Sequence, residues 1–181
     1  PEEPVVTFNP GLIVGGTTVD YDSEQQRGRA FGKTNVIAGR AVVAGDLRTF
    51  TPEQLRRTRE RMTQIVAQSL PHTQAHITFD DGYPPMAASE GNTRLLGLLD
   101  AASRDLGFGA VTAVDPRQAG AADISFVAAE VGTALDGVGL MGTGGHTVNE
   151  TADLTTLPRQ AKRVAVMLAR LAASRDATST R

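Results

Sequence analysis

The apolar and polar positions in the first half of the chain predict a small sheet. Residues 5–14 contain several apolar residues and lead into a Gly-Gly pair, which indicates a strand followed by a turn. Residues 17–33 are polar and charged, as in a long hairpin or a solvent-exposed loop. Residues 40–50 predict a second strand, and residues 75–79 alternate like a short third strand.

A helix is predicted between the second and third of these strands. Thr51 and Pro52 are typical of a helix start, and apolar residues then recur at spacings of three and four among several arginines. This pattern favours a helix with one buried face, whose arginines form the solvated side. The first unit therefore reads as strand, strand, helix, strand, an incomplete α+β sandwich.

The second half of the chain alternates between helical and extended patterns. A helix capped by Ser89 or Thr93 and ended by Gly107 carries repeated leucines. The elements expected after it are a strand at 110–114, a loop at 115–123, a short helix at 124–130, a strand at 134–141 and a closing helix at 154–171. This alternation favours a layered α/β arrangement with a parallel component. The two predicted domains are residues 1–88 and 89–181.

Composition excludes several classes of function. Among 181 residues, 18 are basic and 20 acidic, so charge gives no reason to expect binding to nucleic acid or to an anionic membrane. No apolar run approaches the roughly 20 residues that span a bilayer. The absence of cysteine excludes a thiolate metal site and a cysteine nucleophile. Localisation, to the cytoplasm or the periplasm, is left open.

The most distinctive segment is the glycine-rich run of residues 136–150, which holds His146 directly before the closing helix. Glycines allow the backbone to approach closely and to turn sharply around an imidazole. Histidine is the commonest metal ligand but is also frequent in packing and surface positions. Taken alone, the run leaves both roles open for His146.

Four segments in one order resemble a known family. They are Asn-Val-Ile-Ala-Gly-Arg-Ala-Val-Val-Ala-Gly-Asp-Leu-Arg at 35–48, Asp123 after a loop of small residues, Gly-His-Thr-Val-Asn-Glu at 145–150, and the closing helix. Together they resemble the dinuclear zinc aminoacylase/carboxypeptidase family, closest to its glutamate carboxypeptidase-like branch. The resemblance implies a partial lid (dimerisation) domain, an antiparallel sheet with a helix, followed by the C-terminal α/β part of the catalytic domain.

The resemblance assigns roles to five residues. It implies that His146 binds zinc, that Asn35 donates to the substrate or its oxyanion, and that Arg48 binds the substrate carboxylate. It places Gly120 and Asp123 in a substrate loop. The residues themselves leave simpler roles open, because Asn35 fits a turn, Arg48 fits a partner for Asp46, and Asp123 fits a helix N-cap.

Three segments depart from the family pattern. In the first, Ile-Ala at 37–38 stands where family sequences often have Ile-Pro. Tyr83 precedes a proline where the glutamate-specific branch carries Arg, and Ala-Gly-Ala-Ala-Asp at 119–123 replaces Gly-Gly-Gly-Thr-Asp. These departures argue against specificity for glutamate. The expected substrates are small N-acyl amino acids or peptides that carry a free carboxylate.

The resemblance also implies a metal centre that this chain does not complete. Family members hold two zinc ions, and only His146 matches one of their ligands. We therefore expect the chain to be one segment of a hydrolase, without its N-terminal metal-binding half, inactive and weak in zinc binding on its own, and homodimeric through the lid. Two other functions stay open: a non-catalytic dimerisation module, and a small α/β ligand-binding domain in which glycines 142, 144 and 145 bind an anion.

Overall fold

The structure, a computed structural model, describes residues 6–179, with side chains described as far as residue 174. Its two compact units divide between Asp80 and Asp81. The elements are β1 (Thr7–Gly16), β2 (Thr18–Asp22), β3 (Arg27–Phe31), β4 (Arg40–Arg48), α1 (Pro52–Val66), α2 (Glu90–Asp105), β5 (Met141–Thr143), β6 (Thr151–Asp153) and α3 (Leu157–Ser179). Across the described residues the fold is mixed α/β, with small antiparallel sheets and three helices, which confirms the predicted fold class. The domain boundary at 88/89 stays a prediction.

Strands β1 and β4 form the main sheet of the first unit. They pair antiparallel from Thr7 opposite Arg48 to Gly16 opposite Arg40, with an irregularity between Asn9 and Leu12. Pro10 lies within that irregularity, because proline has no N–H to give to a strand partner. Both predicted strands are confirmed, although residue 5, where the first was expected to begin, lies outside the described residues.

The polar segment between these strands is a hairpin, one of its two predicted forms. Strands β2 and β3 pair antiparallel, and the Asp22 carboxylate accepts hydrogen bonds from the backbone N–H groups of Glu24 (2.9 Å) and Gln25 (3.0 Å) in the turn. The hairpin also approaches β1 closely. A Cβ at Gly28 would lie 2.9 Å from Cγ1 of Val14, so a larger residue would push the two apart.

Helix α1 follows the predicted start signal. The Thr51 hydroxyl accepts a hydrogen bond from the backbone N–H of Gln54 at 3.0 Å and so caps the helix. Arg56 forms ion pairs with Glu53 and Glu60, each at 2.6 Å, along an exposed face. Arg56, Arg57 and Arg61 are exposed as predicted, whereas Arg59 is half-buried, with its guanidinium carbon 5.3 Å from the centre of the Phe79 ring.

Helices α2 and α3 pack together in the second unit. Leu99, Ala102 and Met167 are buried between elements of this unit, and the Ser89 hydroxyl caps α2 by accepting from the backbone N–H of Asn92 at 3.0 Å. Gly107 follows the C-terminus of α2 with a φ of 73°, a conformation that favours glycine. Within residues 6–179, no helix has both the length and the apolar content needed to cross a membrane.

Several predicted elements are wrong. Residues 75–79 and 110–114 form no strand, and of residues 134–141 only Met141 lies in one. The helix predicted at 124–130 is reduced to a 3-10 turn, Asp123–Phe126. The expected parallel pairing is also absent from the described residues, whose strand pairs are all antiparallel. Apolar alternation indicates which side chains can be buried, but a strand also needs a partner for its backbone, and these segments have none among the described strands.

Candidate functional site

The glycine-rich run folds into the hairpin of β5 and β6, with His146 at its tip. Met141 pairs with Asp153 and Thr143 with Thr151, and the two threonine hydroxyls lie 3.1 Å apart. A Cβ at Gly142 would lie 2.3 Å from the carbonyl oxygen of Thr151. Glycine is therefore required for the two arms to pair this closely.

The base of this hairpin is fixed by a buried threonine just before α3. The Thr156 hydroxyl accepts a hydrogen bond from the backbone N–H of Met141 at 2.9 Å and donates one to the carbonyl oxygen of Asp153 at 2.7 Å. It therefore joins both arms at one point. Next to it, hydrogen bonds from the hydroxyl and the backbone N–H of Thr155 lower the pKa of the Asp153 carboxyl.

The tip of the hairpin holds two residues in the left-handed region, Gly144 at a φ of 70° and His146 at 63°. Backbone N–H groups of Thr147 and Glu150 donate to the carbonyl oxygens of Gly144 and Thr147, each at 3.1 Å, and these turns keep the tip compact. A histidine with positive φ is uncommon and carries a conformational cost. His146 is exposed, so this strained backbone presents its imidazole to the outside of the unit.

Asp123 lies in a cluster with two aromatic residues. The Tyr83 hydroxyl donates a hydrogen bond to the Asp123 carboxylate at 2.8 Å, and the rings of Tyr83 and Phe126 lie 5.0 Å apart between centroids. The hydrogen bond to Asp123 raises the pKa of the Tyr83 phenol. Asp123 is the first residue of its 3-10 turn and Ala122 takes the cap position, so the N-cap role is wrong. Gly120 is exposed, with open space around its Cα.

Asn35 and Arg48 belong to the first unit. Asn35 lies exposed in a turn closed by a hydrogen bond from the backbone N–H of Val36 to the carbonyl oxygen of Lys33, at 3.1 Å. Arg48 ends β4, and its Nε donates to Oδ2 of Asp46 at 2.7 Å. The Arg48 side chain remains 65% exposed, so the ion pair does not remove its guanidinium from solvent.

The candidate residues therefore divide between the two units, Asn35 and Arg48 in the first and Gly120, Asp123 and His146 in the second. Within the second unit, no hydrogen bond or ion pair among the described residues links His146 to Asp123. The described part of the chain also holds no group of three or more His, Cys, Asp or Glu side chains placed to bind a metal ion. His146 is thus an isolated donor in this part of the chain.

Two residues of these clusters carry roles that the sequence did not reveal. In the sequence, Tyr83 is distinguished only as a replacement for Arg. Its contact with Asp123 gives no sequence signal, because Asp123 lies 40 positions away and no periodicity connects the two. Thr156 precedes a helix, where a hydroxyl is usual, and that signal predicts a cap rather than a clamp on a hairpin. In the structure the Thr156 hydroxyl clamps the hairpin.

The family of this chain follows from a comparison with family models. The chain has a mixed α/β fold and an exposed histidine, His146, which is a residue type that commonly binds metal ions. The model described as peptidase family M20/M25/M40 matches residues 3–170, which is most of the chain. The chain belongs to this peptidase family, whose members are hydrolases and generally depend on metal ions, often zinc. No curated protein and no solved structure matched the chain.

Proposed function

We propose that this chain is part of a zinc-dependent carboxypeptidase or aminoacylase that cleaves amide bonds of small peptides or N-acyl amino acids with a free carboxylate. The observation that carries the proposal is the peptidase family match over residues 3–170, within which His146 lies exposed at the tip of a clamped hairpin. The family supports hydrolysis of a peptide or amide bond. The finer substrate class rests on Arg48 and on the residues near Asp123.

Whether this chain can hold a zinc ion depends on the donor side chains that it brings together. A catalytic zinc ion takes three protein ligands and leaves a position open for water or substrate. His146 offers one imidazole, and the described residues place no second and third donor beside it. The described residues alone therefore do not make a complete zinc site, and we assign them no step that passes through the metal. We place the remaining ligands on residues beyond this chain, in a further segment or a partner.

Arg48 is the proposed binder of the substrate carboxylate. Its Nε is engaged by Asp46, which orients the guanidinium, while both Nη nitrogens have no acceptor among the described residues. A guanidinium in this state can grip a carboxylate with two parallel N–H···O bonds. The Asp46 ion pair would then orient the Arg48 guanidinium rather than neutralise its charge.

Asn35 is the proposed donor to the oxyanion that forms when the amide carbonyl is attacked. An amide N–H can stabilise developing negative charge, provided that it is held in place and aimed at that oxygen. Asn35 lies in a hydrogen-bonded turn and is exposed, so its side chain is available to a substrate. The family resemblance implies that this residue acts at the active site of a neighbouring subunit.

The loop of Gly120 and Asp123 is the proposed wall of the substrate site. The open space at Gly120 leaves room for a substrate backbone. Tyr83 engages the Asp123 carboxylate at the position where a glutamate-specific enzyme would carry Arg, so this wall offers a phenol and an acid in place of a cation. We therefore propose substrates whose side chain is not acidic.

A homodimer through the first unit is proposed from its surface. Phe8 and Ile13 of β1 and Val43 of β4 are exposed by 67%, 68% and 61%, and the described strands pair β1 and β4 only with each other. An apolar two-stranded sheet with open edges favours pairing with a second copy. The same surface supports the alternative of a dimerisation module without catalytic activity. Light scattering after size exclusion tests the pairing, and a monomer at every accessible concentration would contradict it.

Two measurements test the catalytic proposal. Hydrolysis is measured in the presence of zinc, both for this chain and for the enzyme with all metal ligands. The substrates are N-acyl amino acids and dipeptides with free or amidated carboxyl ends. We expect activity only in the enzyme with all metal ligands, with a preference for free carboxylates. Calorimetry should show weak zinc binding by the chain alone. Tight stoichiometric binding by the chain, or an enzyme with no preference for the free carboxylate, would contradict the proposal.

A further inference from the structure

Arg163 of α3 is a buried arginine without a carboxylate partner. Only 9% of it is exposed. Its Nε donates to the Ser103 hydroxyl at 2.9 Å, Nη1 to Oε1 of Gln160 at 2.7 Å, and Nη2 to the carbonyl oxygen of Phe108 at 3.2 Å. These three acceptors are uncharged, and no carboxylate among the described side chains forms an ion pair with Arg163. The positive charge is therefore buried without a counter-charge from this part of the chain.

Other arginines of the same unit show the usual arrangement. Arg104 pairs with Asp100 at 2.9 Å and Arg170 with Asp105 at 2.5 Å, and both arginine side chains are far more exposed than Arg163. A buried ion without its opposite charge is strongly unfavourable unless hydrogen bonds or another ion compensate it. Arg163 has three neutral hydrogen-bond acceptors and the Phe108 ring, whose centre lies 5.8 Å from its guanidinium carbon, but it has no opposite charge among the described side chains. The site can therefore accept an anion.

A small cavity lies beside this guanidinium. It has a volume of about 40 Å³ and is lined by Leu99, Val111, Val138, Gln160, Arg163 and Val164. One water needs about 10–15 Å³ of such space, so the cavity has room for an ion larger than water. A guanidinium has five N–H groups, of which three are used, and the other two have no acceptor among the described residues.

We propose that the cavity between α2 and α3 binds a small monovalent anion, with chloride as its natural representative, against the guanidinium of Arg163. The two remaining N–H groups donate to the anion, whose charge neutralises the arginine. Because Arg163 is almost fully buried, this attraction is stronger than it would be in water. The small volume favours a halide over larger oxyanions. This site is independent of the proposed hydrolase function.

Thermal unfolding in two salts tests the proposal. The melting temperature of the chain is followed in sodium chloride and in sodium gluconate at equal ionic strength, because gluconate is too large for the cavity. An ion that binds only the folded state stabilises it in a saturable manner, and at ten times its dissociation constant we expect a rise of roughly 3–6 °C. Identical curves in the two salts would overturn the proposal.

Two variants of α3 identify the residue responsible. Arg163→Met removes the buried charge and keeps an apolar side chain of similar length, so its melting temperature should no longer depend on chloride. Arg170→Met is the matched control, because it removes an exposed ion pair of the same two helices, and it should keep the chloride effect. A chloride effect that survives Arg163→Met would contradict the assignment.

A direct probe keeps the proposal testable if Arg163→Met fails to fold. Crystals of the unsubstituted chain are soaked in sodium bromide, and anomalous scattering is measured at the bromine edge. A bromide peak within hydrogen-bond distance of the Arg163 Nη atoms supports the site. A cavity that holds only water under these conditions would overturn it.

Discussion

The Tyr83 hydroxyl donates a 2.8 Å hydrogen bond to the carboxylate of Asp123, which joins two residues that lie 40 positions apart in the sequence. An Arg at position 83 would attract an acidic side chain of a substrate. The Tyr83 phenol is instead hydrogen-bonded to the Asp123 carboxylate. The pair is further supported by the Phe126 ring, 5.0 Å from the ring of Tyr83. The packing of the second unit therefore brings these residues together.

The first prediction concerns the titration of Tyr83. The hydrogen bond to Asp123 and the negative charge of its carboxylate raise the phenol pKa above 10.0. Its stabilising contribution is therefore full below pH 10 and is lost as the pH rises through the folded pKa. In a Tyr21→Phe background, phenolate absorbance should report a high pKa for Tyr83, and Asp123→Asn should lower it. An unchanged titration in Asp123→Asn would contradict the pairing.

A second prediction separates backbone strain from chemistry at His146. Because His146 has a φ of 63°, His146→Gly should remove the cost of the left-handed backbone and raise the free energy of unfolding by about 1 kcal/mol. It should also abolish hydrolysis in the enzyme with all metal ligands. Urea denaturation and turnover are the two measurements.

The matched control for that experiment is His72→Gly. His72 is also exposed and has a φ of 64°, but it lies in the first unit and matches no family ligand. We expect a similar gain in stability and unchanged turnover. Equal turnover in the His146 and His72 variants would show that His146 is only a loop residue.

Arg48 gives the third prediction. Arg48→Ala should raise KM for substrates with a free carboxylate by roughly tenfold to a hundredfold, since hydrogen bonds to charged groups contribute about 1.5–3 kcal/mol. Amidated substrates should change little. Asp46→Asn is the control, because it keeps Arg48 but weakens its orientation, and it should produce a smaller rise. Equal losses for free and amidated substrates would rule out carboxylate binding.

The fourth prediction concerns the clamp at the base of the histidine hairpin. Thr156→Val keeps the shape of the side chain but removes the hydroxyl that joins Met141 to Asp153, which should cost about 1–3 kcal/mol. Hydrogen exchange at the Met141 amide should become faster. Thr155→Val, at an exposed neighbouring hydroxyl, should leave that exchange unchanged. Equal protection in both variants would show that Thr156 does not hold the hairpin.

Helix starts were predictable from the sequence because their signals are local. Thr51 and Ser89 each cap a helix through a hydroxyl three residues before the bonded N–H, a spacing that the sequence displays directly. The predicted strands at 75–79 and 110–114 were wrong because strand formation depends on a distant partner. Alternation of apolar residues carries no information about that partner.

The candidate site was predictable only in part. The sequence identified the glycine-rich loop around His146, but its antiparallel arms depend on close contact between Gly142 and Thr151, which becomes visible only when the two are paired. The ion pair of Arg48 with Asp46 was foreseen because the two residues are close in sequence. The Tyr83 and Asp123 contact was not, because it depends on tertiary packing.

The histidine hairpin is clamped at its base and exposed at its tip. The length of its two arms therefore sets how far the His146 imidazole extends from the rest of the unit. Each residue added to both arms extends a hairpin by about 3.3 Å and turns every following side chain to the opposite face, whereas two residues per arm restore the original face. The reach of the His146 imidazole can therefore change only in steps of about 6.6 Å if the imidazole is to stay on the same face of the hairpin. Lengthening of this loop during evolution or engineering should follow that two-residue rule.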